Sequence, residues 1–395
     1  MYLHPSCKSF QTPLYCLIKM PPPNWNTRRD MTEKAKQIQQ CLQNAPSLLA
    51  GKKAAAGFDG FVDSIVKVVN YKTDDAGIVF FRTISEFGSY ISGKSGSGFS
   101  LESEELVQKL GGNMPIMANA LAGMGIGVNC VGAFGVPHFA PAFTGMHANC
   151  NLYSFTNPGF TTAMEFTDGK IMLAQMTDLN HADWATIKQT IGIENLKAVF
   201  GTADLICLVN WSELDHSNSM WQGLLCDVLN NSTIKQSQQF FFDLSDCSKR
   251  SAEAITSAIK LIEQFGAYGK VTLSLNRNEA NILYKTLIGD APPADLQAIG
   301  NKLFTVLNIS TLIIHNSKIS IAWDGNGTHI NEPDFIANPK ISTGAGDNFN
   351  AGYCIAVLLG LDAEAALMMA NATSNIYMNS GDSPGLDALS EYFSK

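Results

Sequence analysis

No stretch of this chain approaches the ~20 consecutive apolar residues that a membrane-spanning helix needs. No block of Lys or Arg occurs either: 27 basic against 35 acidic residues leave a formal charge of -8. Such a chain is a poor partner for nucleic acid or anionic lipid. The 9 cysteines are dispersed without C-x-x-C spacing, so a reducing cytoplasm is the expected setting, with the thiols as small buried apolar groups. The 7 histidines are isolated as well, which argues against a zinc site. No internal repeat and no low-complexity linker is found.

What is present, 46% hydrophobic residues with 33 glycines, is ordinary for a globular protein of one large or two medium domains. The early stretch PLYCLI, closed by KMPPPNW, is too short and broken for a signal-peptide core. Residues 1–50 are expected to be an N-terminal extension, partly disordered or helical. Residues 1–30 would be a disordered lead, or lie upstream of a true start at Met20 or Met31, with a helix opened by Thr32 after them.

The main domain is then residues 51–395. KKAAAGFDGFVDSIVKVV reads as a buried strand ending in a turn that carries Asp59 and Asp63. Residues 71–100 mix β-branched and aromatic residues with a Gly/Ser-rich stretch, predicting short strands and a mobile loop. A Gly-Gly turn at 111–112 opens a helix with Pro115 in its first turn, where a missing N–H is harmless. Residues 151–177 alternate around Thr-Asp-Gly-Lys, a β-hairpin pattern. Beyond residue 200 the strands ADLICLVNW, QFFFDLS, VTLSLN and STLIIHN alternate with helices at 217–230, 250–266 and 277–288. Helices near 347–361 and 362–380 close the chain. This alternation predicts an α/β fold with a mostly parallel central sheet covered on both faces, the β-rich early segments forming a smaller attachment.

One motif is a decoy. GSYISGKS, from Gly88 to Ser95, matches G-x-x-x-x-G-K-[ST] literally, and FFFD ending at Asp243 could pass as its metal-binding partner. A phosphate-binding loop needs a strand before it and a helix beginning at its Lys. Here GSGF follows Lys94, so a flexible loop over some site is the better reading.

STGAGDNFNAGY at 342–353 has the context the decoy lacks. Phe349, Tyr353 and Val357 fall at helical spacing, placing a helix start near Asp347 behind the turn Gly344-Ala345-Gly346. Bare amides at the positive end of a helix dipole make an anion site. Asp347 is then a helix cap or a base held beside the anion. Phosphoryl transfer calls for the second arrangement: fixed N–H donors for the migrating group and a carboxylate for the hydroxyl proton.

Over roughly residues 52–390 the chain resembles the ribokinase, or PfkB, family of carbohydrate kinases. LGGNMPIMANALAGMG is similar to the family's first signature and STGAGDNFNAGY to its second. NRNE at 276–279 matches its N-x-x-E motif, and MMANATSN at 368–375 is similar to the helix bordering the adenine pocket. The resemblance implies a three-layer α/β/α sandwich with a mostly parallel sheet and a small β-sheet lid, here residues 64–100 and 151–177. It implies an ATP-dependent kinase that uses Mg2+ to phosphorylate a hydroxyl of a sugar or sugar-like small molecule. Asp347 becomes the catalytic base, and Gly344, Ala345 and Gly346 the anion hole. Asp63, with Asp59 as substitute, would bind the acceptor together with Gly112 and Asn113. Asn276, Glu279, Thr343 and Asn371 would meet the nucleotide, Glu279 also placing Mg2+ indirectly. The family's lid-to-lid homodimer is the candidate assembly, with no nucleic-acid or membrane partner.

The chain also departs from the family pattern. Ile116 stands where a sugar-binding Asn is usual, so the acceptor differs from ribose. HNSKIS at 315–320 replaces the usual TxGxxG, which weakens some expected nucleotide contacts. A catalytically weak or inactive protein of this fold that binds sugar or nucleoside is the alternative reading. Asp243 is either second to the metal or a strand-end cap, and Lys94 and Arg82 are lid cations that could meet a substrate phosphate. Ile341 replaces the Asp that helps hold a monovalent cation. Turnover is therefore expected to change little on adding K+, and a large rate increase in a steady-state assay would contradict that.

Overall fold

The computed structural model describes residues 25–75, 77–232 and 237–394. The expected lead lies mostly outside them, but from Trp25 the chain is already helical: α1 (Trp25–Leu49) begins ahead of Thr32. Next come β1 (Lys53–Gly57), β2 (Phe61–Lys72), β3 (Ile78–Phe80), α2 (Ile84–Gly93), β4 (Ser103–Gly111) and α3 (Asn113–Gly123). β5 (Gly127–Gly132), β6 (Cys150–Ser154), β7 (Gly159–Phe166) and β8 (Gly169–Gln175) lead to α4 (Thr177–His181), α5 (Trp184–Ile191) and α6 (Ile193–Phe200). Strand–helix alternation follows through β9 (Leu205–Leu208), α7 (Ser217–Gly223), β10 (Gln239–Asp243), α8 (Ala252–Gln264), β11 (Lys270–Asn276) and α9 (Arg277–Ile288). The chain closes with α10 (Leu296–Val306), β12 (Thr311–His315), β13 (Ser320–Asp324), β14 (Gly327–Asn331), α11 (Ala345–Leu358), α12 (Ala363–Ser380) and α13 (Leu386–Tyr392).

Nine strands form one sheet in the order β14-β13-β12-β11-β10-β9-β1-β5-β6. It is parallel from β12 to β6, and only the hairpin β12-β13-β14 runs antiparallel. Its central strands are apolar on both faces, as burial beneath two helical layers requires. Phe240, Phe242, Leu273 and Leu275 pack with α5 to α10, while Cys207, Phe241 and Ile313 pack with α1, α3, α11, α12 and α13. Side-chain caps fix where many of these helices start: Asp183, Ser251, Asn276, Asp295 and Asp362 each accept a first-turn amide. α1 adds Ile38, Leu42, Ala45 and Leu49 to the second layer. No helix among the described residues is long and apolar enough to cross a membrane.

The second sheet is the lid. β2 pairs with β4 and β3 antiparallel and with β7 in parallel, and β7 carries β8. Its own small core is Val66, Val68, Phe81, Phe87 and Met164. The lid differs from the expected segments at two points. β6 joins the large sheet beside β5, and β4, a half-exposed strand with weak apolar alternation, belongs to the lid. The expected turn after the first strand is also shorter. Only residues 58–60 turn, so Asp63 lies inside β2.

The decoy resolves differently from expectation: it is no loop. Gly88 to Gly93 are helical in α2, capped by Thr83, and Lys94 ends that helix. A Lys at the negative end of a helix dipole cannot share a phosphate with that helix's amides. Lys94 instead sits 5.3 Å from the Tyr90 ring centre.

α11 reaches its place by close contact with α12. A Cβ built on Gly352 would lie 2.4 Å from Thr373 Oγ1 and 3.0 Å from Ala370 Cα, so only a residue without a side chain lets the two helices approach this far. Gly352→Val is expected to lower unfolding free energy by about 1–3 kcal/mol, read from the urea midpoint, and to reduce activity by displacing α11.

Candidate functional site

The turn before α11 is built by its backbone. Gly344 has φ 90°, a left-handed conformation open to glycine, and serves as the N-cap. The expected start at Asp347 moves back to Ala345, which puts Asp347 in the first turn rather than at the cap. The turn is tied from behind. Ala345 N donates to Ser342 O at 3.2 Å, and Tyr377 Oη donates to Thr343 O at 2.8 Å. Gly344 O accepts from Asn348 N and Nδ2 at 3.0 and 2.9 Å. The amides of Gly346 and Asp347 have no partner among the described residues, as the first turn of a helix leaves them. Ile116 packs against Gly344 from α3.

Asp347 is 7% exposed. Burial, and then the charges of Asp243 and Asp59, hold its carboxyl well above the ordinary 3.8, against a contact with the Asn113 side chain that lowers it. Asp59 is fully buried in the turn after β1. It accepts from Met114 N at 2.9 Å and Asn210 Nδ2 at 2.6 Å, so it caps α3 while facing Asp347. Burial pushes it up to about 7 despite these bonds. Asp243 accepts from Ser245 N and Asn350 Nδ2, each at 2.7 Å, and is also raised by burial. Glu279 lies behind Asn276 as its partner in a capping box and is raised by burial first and the Asp243 charge second. Asp63 stands apart on the lid side. Burial raises its carboxyl, and a hydrogen bond from Thr161 and the charges of Lys109 and Lys170 partly oppose this.

On the other flank of α11 opens a cavity of about 450 Å³. Asn276, Ala345, Gly346 and Asn371 line it, with an apolar rim that includes Phe335 and Met378. Asn371 Nδ2 donates to Ser320 Oγ at 2.7 Å and Asn331 Oδ1 at 2.6 Å, binding α12 to the edge hairpin. The HNSKIS stretch supplies His315, Asn316 and Ser317 to the same cavity. Burial lowers His315 to about 4, and it stacks on Phe349 with ring centres 4.5 Å apart, so it is neutral.

Of the residues singled out in the sequence, Asp347, Asn113 and Asp59 thus meet in one place. Gly344 to Gly346 form the wall between that place and the cavity, and Asn276 and Asn371 face the cavity. Glu279, Thr343 and Asp63 lie off it. Asn210 was missed by sequence reasoning. It follows β9 in a left-handed conformation, φ 62°, only 2% exposed, with its Oδ1 unpartnered. A lone Asn after a strand carries no pattern that would have flagged it. No preassembled group of three or more metal-binding side chains occurs among the described residues.

Because burial holds the Asp347 carboxyl above its unfolded value of 3.8, this group makes stability fall as pH rises through the window between the two values. Asp347→Asn removes the burdened carboxylate. It is expected to melt above the parent at a pH of about 8, with the gap closing as pH approaches about 4, which thermal scans across pH would read.

The prokaryotic ketohexokinase model matches residues 30–395. The ketohexokinase of Haloferax volcanii is 25% identical over 356 residues, covering 90% of this chain and 94% of that protein. Among solved structures, ribokinase from Thermotoga maritima superposes with a TM-score of 0.57 at 14% identity, over 87% of this chain and 99% of that one. A candidate ribokinase II from Escherichia coli in complex with ATP and Mg2+ gives 0.60 at 13% identity, over 87% and 98%. At these identities the two structures speak for the fold alone. The chain belongs to the prokaryotic ketohexokinase family, within the ribokinase-like (PfkB) carbohydrate kinases.

Proposed function

We propose that this sugar kinase moves the γ-phosphoryl group of ATP to a hydroxyl of a ketohexose, with Asp347 as general base. The observation that carries the reading is the placement of Asp347: buried, beside Asn113 and Asp59, one residue past the unpartnered amide of Gly346 at the mouth of the cavity. The raised carboxyl is suited to taking a proton. Gly344 to Gly346 and the α11 dipole form the anion hole that receives charge on the migrating group.

ATP occupies the cavity, its base against the apolar rim near Asn371 and its phosphates toward Asn276 and Gly346, with Thr343 off the lining at the start of the glycine turn. The acceptor lies between α3 and the lid, against Gly112 and Asn113, with Asp63 gripping its hydroxyls. Asp59 has its oxygens engaged by Met114 and Asn210 and sets the end of α3 instead. Hard oxygen donors and the mutual repulsion of Asp243, Glu279 and Asp347 suit Mg2+, which takes one or two carboxylates plus phosphate oxygens and water. Asp243 and, through water, Glu279 would hold it, and when bound it neutralises phosphate charge. The homodimer reading is supported by exposed Leu106, Val107, Met172 and Leu173 on the lid, a surface of the kind a second copy covers. A merely binding role is not favoured, since the proposed base and the glycine turn are both in place.

Phosphorylation of a panel of ketohexoses, aldoses and nucleosides is the direct test, and ketohexoses are expected to give the highest kcat/KM. Asp347→Asn is expected to lose at least about 10³-fold in kcat while still binding ATP by calorimetry. Near-normal turnover in that variant would remove the base assignment.

A further inference from the structure

Lys170 was not among the candidate residues, yet it joins the lid to the phosphoryl end of the site. It is the second residue of β8, opposite Glu165 of β7. Its Nζ lies 3.3 Å from Oγ1 of Thr343, the residue before the Gly344 cap. The turn that carries it is fastened to the rest of the lid. Thr167 N and Oγ1 both donate to Arg82 O at 2.8 Å, and Asp168 Oδ1 accepts from Ile84 N at 2.8 Å. Lys170 therefore travels with the lid.

Its surroundings leave its charge only partly satisfied. Lys170 makes no close ion pair among the described residues; its one recorded hydrogen-bond partner is a neutral hydroxyl, and its charge reaches the Asp63 carboxyl without a direct contact. Thr343 is followed in the chain by the Gly344 cap and then by the bare amides of Gly346 and Asp347. An exposed ammonium beside unfilled donors at a helix N-terminus is a half-built anion clamp. Lys94 and Arg82, the lid cations singled out in the sequence, lack this placement: Lys94 lies over Tyr90, and Arg82 contributes its carbonyl to Thr167.

We infer that Lys170 is a further catalytic residue, the lid cation that closes onto the migrating phosphoryl group opposite the Gly344–Gly346 turn. This rests on the reading of Asp347 and the glycine turn given above. With both substrates bound, the ammonium exchanges Thr343 Oγ1 for phosphoryl oxygens. The acceptor oxygen forms its bond to the γ-phosphorus as the bond to the bridging β-phosphate oxygen breaks. The hydroxyl proton passes to Asp347, ADP departs with the bond electrons, and Lys170 remains protonated throughout, contributing charge alone. A cation present only when the lid is down also favours transfer to sugar over transfer to water.

The test uses the full chain with ATP and a ketohexose. Lys170→Met is expected to lower kcat about 10²-fold with sugar KM changed less than about threefold, and Lys170→Arg to recover most of the loss. A second readout needs no turnover: reductive methylation of the unaltered protein, followed by peptide mass spectrometry. Sugar plus a non-hydrolysable ATP analogue is expected to protect Lys170, and neither ligand alone to do so fully. The proposal is overturned if Lys170→Met keeps kcat within about threefold, if its defect is confined to sugar KM, or if the ligand pair leaves Lys170 equally reactive. Should Lys170→Met fail to fold, the arginine variant and the labelling decide. The Asp347→Asn control separates the two claims: if it is inactive while Lys170→Met is normal, only the clamp fails, and if it is active the base reading fails whatever Lys170 does.

Discussion

The molecule is organised around carboxylates that burial makes uncomfortable. Asp59, Asp243 and Asp347 are each under 9% exposed, and their charges oppose one another. In a low-dielectric pocket such groups hold protons or demand a cation. No lysine or arginine of the α/β body forms an ion pair with any of them among the described residues. What balances them is a set of amides and carboxamides: Met114 N, Asn210 Nδ2, Asn113, Ser245 N and Asn350 Nδ2. Neutral donors orient a carboxylate without cancelling its charge, which leaves it available to a proton or a metal.

That requirement explains the architecture around it. Parallel strands deliver their C-terminal ends to one edge, where Asp59 follows β1, Asn210 follows β9 and Asp243 ends β10. Helices start at the same edge, so the α3 and α11 amides converge on the space between. The tight seam of α11 on α12, permitted by Gly352, fixes the level at which Asp347 enters. The small sheet meets the turn before α11 through Lys170 and Thr343, and its own core holds the aromatic cluster of Phe81, Phe87, Tyr90 and Phe166.

Much of this was legible in the chain. The β10, β11 and β12 runs are apolar on both faces and flanked by amphipathic helices, a signature that does not depend on distant contacts, and α9 lies where the helix at 277–288 was expected. The GAGD turn was legible for the same reason, since glycine before a helix start is a local backbone statement. The lid was harder to read. β4 pairs only with β2, leaves Glu104 to Gln108 exposed and shows little alternation, so its sequence resembles a loop. The stretch from Ile84 to Gly93, rich in Gly and Ser, became α2 because Phe87 had a hydrophobic pocket to fill against Phe81 and Phe166.

By itself, then, the sequence determined the order of strands and helices, the two apolar layers and the turn that bares amides before α11, because periodicity and glycine placement act over a few residues. Only the tertiary structure decided which acids face one another, that Asp59 caps α3 while Asp63 sits in a lid strand, that Asn210 reaches Asp59 and that Lys170 reaches Thr343. Those relations join residues up to hundreds of positions apart, and they depend on side-chain directions that exist only once the sheet has twisted and the lid has folded onto it.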